Sequence, residues 1–449
     1  MFVPYFCTNK KIIMPKIKVL FLLMFGAVFT NAQKVNFTEY NLKNGLHVIL
    51  HKDNSAPVVA VSVMYHVGSK NETPDRTGFA HFFEHLLFEG SDNIKRGEFM
   101  KIVSSNGGQN NANTTQDRTF YYEVFPSNQL ETGLWLESER MLHPVINEIG
   151  VKTQNEVVKE EKRMRVDNQP YGNFLAEVMK RLFTKHPYHW VPIGSMEHLD
   201  AATLQEFIAF NKKYYTPKNS TLVIAGDLDI EKTKTLVEAY FAEVPSGETI
   251  EKVNIQEDPI TKEVVDTAYD NNIQIPAIMT AYRTPGETNK ESIALELAAS
   301  VLSQGASSRM YKKMVDDKKN ALQVGCFNYA LEDYGAYITY ALPNGSSKLE
   351  DLLKDMDDEI ATLQNTLISE DEFTKIRNQY ENEFISKNDK MLGIAENLAD
   401  SYTFHNKNTN YINEEIDEVR KVTREDIQNV AKKYLNKNQR VVVYYLPKK

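Results

Sequence analysis

Two stretches of this 449-residue chain echo one another at a spacing of about 220 residues, and this constrains the fold more than any other feature. Thr203-Leu-Gln-Glu206 reads as a capping box, in which a threonine and an acid three residues on satisfy the free N–H groups at a helix start. The helix ends near Asn211-Lys-Lys-Tyr-Tyr215, Thr216-Pro-Lys-Asn219 turns the chain, and Leu222-Val-Ile-Ala225 reads as a strand. Thr423-Arg-Glu-Asp426 opens the same series, which passes Lys432-Lys-Tyr434 and Asn436-Lys-Asn438 into Val441-Val-Val-Tyr444. A second echo has nearly the same offset. Val59-Ala-Val-Ser-Val-Met-Tyr65 is a strand followed by a loop and a helix, and so is Pro276-Ala-Ile-Met-Thr-Ala-Tyr282, with its helix from about Lys290.

Two echoes at one offset imply a duplicated fold, and the period is far too long for a solenoid. We expect an α+β chain of two homologous domains, each a mostly antiparallel sheet packed with helices. The boundaries read as 33–245 and 259–449, joined by a polar linker at 246–258 that begins after Pro245. Asn44-Gly45 between two apolar runs is a hairpin signal.

Residues 1–32 read as a leader. Lys10, Lys11, Lys16 and Lys18 precede the apolar run Val19–Phe29, and small residues end at Ala32, the pattern of a secretory signal peptide. The run is too short to span a bilayer, and no other stretch is long and apolar enough. An exported, periplasmic or secreted chain is expected, with no transmembrane segment once the leader is removed. The whole sequence has 52 basic and 61 acidic residues; without the leader's four lysines the balance is 48 to 61, a net charge of −13. That disfavours nucleic acid, whose binding rests on phosphate contacts. Cys7 leaves with the leader, so Cys326 stands alone and is expected as a core thiol.

His81-Phe-Phe-Glu84-His85 carries the chemistry. In a helix, His81 and His85 share one face one turn apart, a spacing at which two imidazoles can hold one Zn²⁺. Glu84 on the adjacent part of that face suits a general base. An ordinary polar helix face is the alternative, but Phe82, Phe83, Leu86 and Leu87 indicate a buried helix, and buried polar groups need partners. A third ligand should come from another element. The helical run Gln154–Arg163 offers Glu156, Glu160 and Glu161, and spacing alone does not choose among them.

The stretch Gly78–Gly90, followed 76 residues after His85 by Glu161, resembles the insulinase/pitrilysin zinc peptidases, and most closely their mitochondrial-processing-peptidase-like bacterial branch. The resemblance implies one Zn²⁺ per chain held by His81, His85 and Glu161, with Glu84 as the catalytic base. It implies a zinc-dependent endopeptidase acting on extended peptides. It also matches Asn106–Tyr122, where the strand Thr119–Phe125 is expected to offer its edge to substrate, with Asn111 and Ala112 in contact.

Two departures stand out. Gln154 occupies a position where the family often has glutamate, next to the metal's outer shell. Where active members carry an Arg and a Tyr seven residues apart, this chain has Val315 and Leu322. Arg309 and Tyr311 read as packing residues. The resemblance therefore implies the zinc-bearing subunit of a heterodimer whose homologous partner supplies the Arg/Tyr pair. The rival is a non-catalytic structural or peptide-binding subunit of the same fold. His186-Pro-Tyr-His189 reads as loop packing, and the acidic stretch Asp351–Glu359 as an exposed helix face.

Overall fold

The structure, a computed structural model, describes residues 34–448. The expected leader lies outside them. Among the described residues no helix is long and apolar enough to cross a membrane.

The first half contributes strands β1 (Thr38–Asn41), β2 (His47–Lys52), β3 (Val58–Tyr65), β4 (Gln109–Thr114), β5 (Thr119–Pro126) and β6 (Ser220–Gly226). Its helices are α1 (Phe79–Leu86), α2 (Phe99–Ser105), α3 (Leu130–Leu142), α4 (Glu148–Lys162), α5 (Phe174–Leu182), α6 (Met196–Ala201), α7 (Leu204–Tyr214) and α8 (Ile230–Phe241). The second half contributes β7 (Val264–Asp270), β8 (Ala277–Pro285), β9 (Ala321–Ala330), β10 (Tyr334–Pro343) and β11 (Arg440–Pro447). Its helices are α9 (Lys290–Ser303), α10 (Leu349–Asn365), α11 (Glu370–Lys387), α12 (Met391–Phe404), α13 (Tyr411–Lys421) and α14 (Arg424–Tyr434).

The duplication is explicit in the sheets. The first has strand order β1-β2-β6-β3-β5-β4 and the second β7-β11-β8-β10-β9, so five strands match one for one. Each sheet has one parallel pair, β2 with β6 and β7 with β11, and is otherwise antiparallel. Both capping boxes form as read, Thr203 with Glu206 and Thr423 with Asp426. The Asn44-Gly45 hairpin also forms, but its register pairs Asn41 with His47 and leaves a five-residue connection, 42–46. Leu42 and Leu46 turn into the core there, and Asn44 donates to the carbonyls of Phe241 and Val244.

Side-chain alternation sorts each strand between two cores. On β3, Val59, Val61, Val63 and Tyr65 face the core beneath α1, α3, α7 and α8, while Ala60 and Met64 face the other side. That other side is covered by α12 from the second half, through Ile394, Ala395, Leu398 and Ala399. The exchange is reciprocal: Val178, Met179 and Leu182 of α5 cover Met279, Ala281, Val441 and Val443 of the second sheet. Each sheet is thus buried on both faces, which is why β3, β6 and β11 read as nearly continuous apolar runs. It also makes residues 35–448 one compact unit.

Two readings change. Asp351–Glu359 is not simply an exposed face: Asp355 and Asp357 are buried, Asp355 accepting from Lys318 and Asn320, and Asp357 pairing with Arg440 and Lys437. The strand Thr119–Phe125 is not an edge, because β5 is paired on both sides, with β3 and β4. The outermost strand is β4, which carries Asn111 and Ala112.

Candidate metal centre

Helix α1 is only eight residues long and apolar on most of its circumference. Phe79, Phe82 and Phe83 stack on Phe207 and Phe210 of α7. Packing those rings inward turns His81, Glu84 and His85 toward α4 and β4. Each offers a ligand atom within 4.8 Å of the others. Helix α4 crosses α1 and brings Glu161 Oε2 to 2.9 Å from His85 Nε2 and 3.5 Å from His81 Nε2. The rivals go elsewhere: Glu160 points to solvent against Arg163, and Glu156 against Lys159.

Donors about 2.0–2.1 Å from a tetrahedral ion lie about 3.3 Å from one another, a spacing that the two observed separations bracket. Glu161 Oε2 and His81 Nδ1 are shut off from solvent with no hydrogen bond of acceptable geometry. Burial, reinforced by the neighbouring His85, pushes the His81 imidazole down to about 4, so it is neutral with a free lone pair at physiological pH. Contact with His85 holds the Glu161 carboxyl below its ordinary range. Two imidazoles and one carboxylate in this arrangement fit Zn²⁺.

Glu84 has a different environment. Burial raises its carboxyl, and a hydrogen bond from Thr114 Oγ1 at 2.6 Å pulls the other way. A carboxyl poised upward by burial suits proton transfer near neutral pH. Thr114 is the last residue of β4, so the outermost strand ends at the carboxylate. Along that strand Asn111 is exposed, whereas Ala112 turns its methyl into the core and offers only backbone outward.

Gln154 lies two turns before Glu161 on α4 and donates to Glu89 at the end of the α1 segment, not to His81, His85 or Glu161. Val315 packs against the second core, while Leu322 is exposed on β9, at the far edge of the second sheet. Arg309 forms a two-pronged pair with Glu372, and Tyr311 packs on the second core. His186 is buried and reaches Asp333 across the two halves. Two site contacts escaped the sequence reading, Thr114 on Glu84 and Arg165 Nη1 on Glu161 Oε1 at 2.7 Å. Arg165 was in reach as an i+4 neighbour of a candidate ligand; Thr114 carries no local signal.

Comparison with known proteins bears on the family and the fold. The family model described as "Insulinase (Peptidase family M16)" matches residues 47–189, and "Peptidase M16 inactive domain" matches 201–380. A zinc protease from Helicobacter pylori, PqqE, is 30% identical over 412 residues, covering 90% of this chain and 92% of its own. The crystal structure of a protease from Helicobacter pylori superposes with a TM-score of 0.87 at 29% identity, over 92% of this chain and 100% of that one. A peptidase M16 inactive domain from Pseudomonas fluorescens shares the fold, with a TM-score of 0.82 at 18% identity, over 92% of this chain and 99% of that one. The α+β duplication, the matched family models and a relative similar along nearly its whole length have one explanation: this chain belongs to the insulinase family, peptidase family M16.

Proposed function

We propose that this chain is a zinc-dependent endopeptidase that hydrolyses extended peptides or unfolded segments, and that it acts as the catalytic subunit of a heterodimer. The observation that carries the reading is the convergence of His81, His85 and Glu161 beside Glu84, with His81 Nδ1 and Glu161 Oε2 shut off from solvent and short of hydrogen-bond partners. His81, His85 and Glu161 would hold one Zn²⁺ ion. Bound there, zinc supplies Lewis-acid chemistry, polarising a peptide carbonyl and acidifying water. Glu84 takes a proton from the attacking water on its carboxylate and returns it to the leaving amine nitrogen. Thr114 orients that carboxylate through its hydroxyl.

The substrate lies along β4. An extended peptide adds as a further strand to the free edge, through backbone hydrogen bonds largely blind to side chains, with Asn111 and the Ala112 backbone in contact. Because β4 ends at Thr114, a peptide paired with it is led to Glu84. The heterodimer part rests on Val315 and Leu322, which have no donors, and expects a homologous partner with an Arg/Tyr pair. The leader is proposed to export the chain.

The test is metal analysis with a Glu84→Gln comparison. One zinc per chain, retained in the variant while peptide cleavage is lost, supports the enzyme. A metal-free chain, or cleavage untouched by the change, refutes it and favours the non-catalytic subunit. Full cleavage by the isolated chain removes the heterodimer.

A further inference from the structure

The helix that carries both histidines is poorly suited to hold its own shape. At eight residues it falls short of the ~12–15 at which an isolated helix becomes marginally stable in water. Its N-cap is Gly78, in the left-handed region at φ 100°, which has no side chain to cap the first turn. His81 sits in that first turn and His85 in the last. Fraying at either end would therefore move one histidine and not the other.

Two buried side chains from outside the helix grip its ends. Glu72 lies across the loop that precedes α1. Its Oε2 accepts from the Gly78 N–H at 2.9 Å and its Oε1 from the Ala80 N–H at 2.8 Å. Two of the donors that a helix start leaves free are satisfied by this one carboxyl. Burial pushes the group up to about 8 against the pull of those N–H groups. At the other end, Arg140 Nη1 donates to the carbonyl of Leu87, the C-cap residue, at 3.3 Å. A cation there also favours the helix macrodipole.

Arg140 is itself fixed. Its guanidinium lies 4.4 Å from the ring centres of Phe88 and Tyr121 and 4.5 Å from that of Phe99. It pairs with Glu123 at 3.0 Å and Glu137 at 3.1 Å, both fully buried. Between the two grips, Tyr121 donates to the Phe83 carbonyl at 3.0 Å. None of the hydrogen bonds or ion pairs of Glu72 and Arg140 involves His81, His85, Glu84 or Glu161.

We propose that Glu72 and Arg140 are positioning residues that clamp the two ends of α1 and thereby fix the geometry in which His81 and His85 bind metal. This rests on the zinc reading above. Glu72 holds the first turn for His81, and Arg140 the last turn for His85. The clamp is needed because the helix is too short, and too weakly capped, to set two ligands in register by itself.

The experiment uses the full chain with Glu72→Gln and Glu72→Ala, probed with Zn²⁺ against a competing chelator and with Co²⁺ absorption. Outer-shell losses typically weaken metal binding ~10–100-fold. Glu72→Gln keeps one acceptor and is expected to weaken Zn²⁺ binding about tenfold, and Glu72→Ala more. The Co²⁺ spectrum should change, and the amides of Ala80 and His81 should exchange faster in the metal-free chain, ahead of that of His85. If the alanine variant does not fold, the near-isosteric glutamine variant decides. Variants with a lowered Tm but unchanged Zn²⁺ affinity and Co²⁺ spectrum overturn the clamp, because Glu72 is then only structural. Wild type that takes up no Zn²⁺ overturns the zinc reading itself, and the clamp with it. Wild type and variants that bind Zn²⁺ equally overturn the clamp alone.

Discussion

Glu161 Oε2 lies 2.9 Å from His85 Nε2, although the two residues belong to separate helices, α4 and α1. The neighbouring Glu160 faces solvent, so one residue of register on α4 decides which acid meets the histidines. Glu161→Ala should weaken zinc binding by more than the ~10–100-fold typical of outer-shell losses. Glu160→Ala should leave it unchanged. Chelator competition on both variants measures the difference, and equal behaviour would count against Glu161 as the ligand.

The bond from Thr114 to Glu84 links the outermost strand to the proposed base. A hydrogen bond to a charged group contributes ~1.5–3 kcal/mol. Thr114→Val should lower kcat about tenfold or more with zinc content intact. The sign of the pH effect follows from the opposing influences on Glu84. Burial raises the carboxyl and Thr114 lowers it, so removing Thr114 should move the acid limb of the pH–rate profile to higher pH. A limb that stays in place would show that Thr114 does not act on Glu84.

The reciprocal exchange of α5 and α12 makes each half depend on the other. Leu398 is fully buried on α12 against the first sheet, and Leu398→Ala should cost ~2–5 kcal/mol. Because the sheets share covering helices, both should melt in one calorimetric transition. A fragment 33–245 expressed alone should not fold, since Ala60, Met64, Val223 and Ala225 would lose their cover. A folded, monomeric fragment would contradict this.

Glu296 on α9 lines a cavity with Glu383, Asp400 and Glu415, and burial followed by the charge of Glu383 pushes its carboxyl up to about 7. In the unfolded chain the group titrates near ~4.3. Its contribution to stability is therefore fully present below that pH and lost as pH rises through about 7. Glu296→Gln should match wild type near pH 4 and melt a few degrees higher at pH 8. Equal melting temperatures at both pH values would show that the carboxyl ionises without penalty.

The sequence by itself determined the repeated elements. Capping boxes at Thr203 and Thr423 and the apolar runs of β3 and β11 are local signals, set by neighbours within a few residues, so the duplication was legible. His81 and His85 were legible as a pair because a helix fixes the spacing of i and i+4. The edge strand was misread, because Thr119–Phe125 has the apolar pattern of a strand whereas β4, Gln-Asn-Asn-Ala-Asn-Thr, is almost wholly polar. The burial of Asp355 and Asp357 was missed because their cationic partners, Lys318, Lys437 and Arg440, come from other elements.

Tertiary structure decided what local signals left open. Helix spacing does not choose among Glu156, Glu160 and Glu161; the resemblance points to Glu161, and its approach to the histidines depends on how α4 rolls against α1, as the hold of Thr114 on Glu84 depends on where β4 ends. That α12 covers the first sheet and α5 the second depends on long-range closure of the chain. The physical reason is common to all three. A helix or strand periodicity says which face is apolar, but not which of several apolar faces will meet it, and only packing the whole chain resolves that.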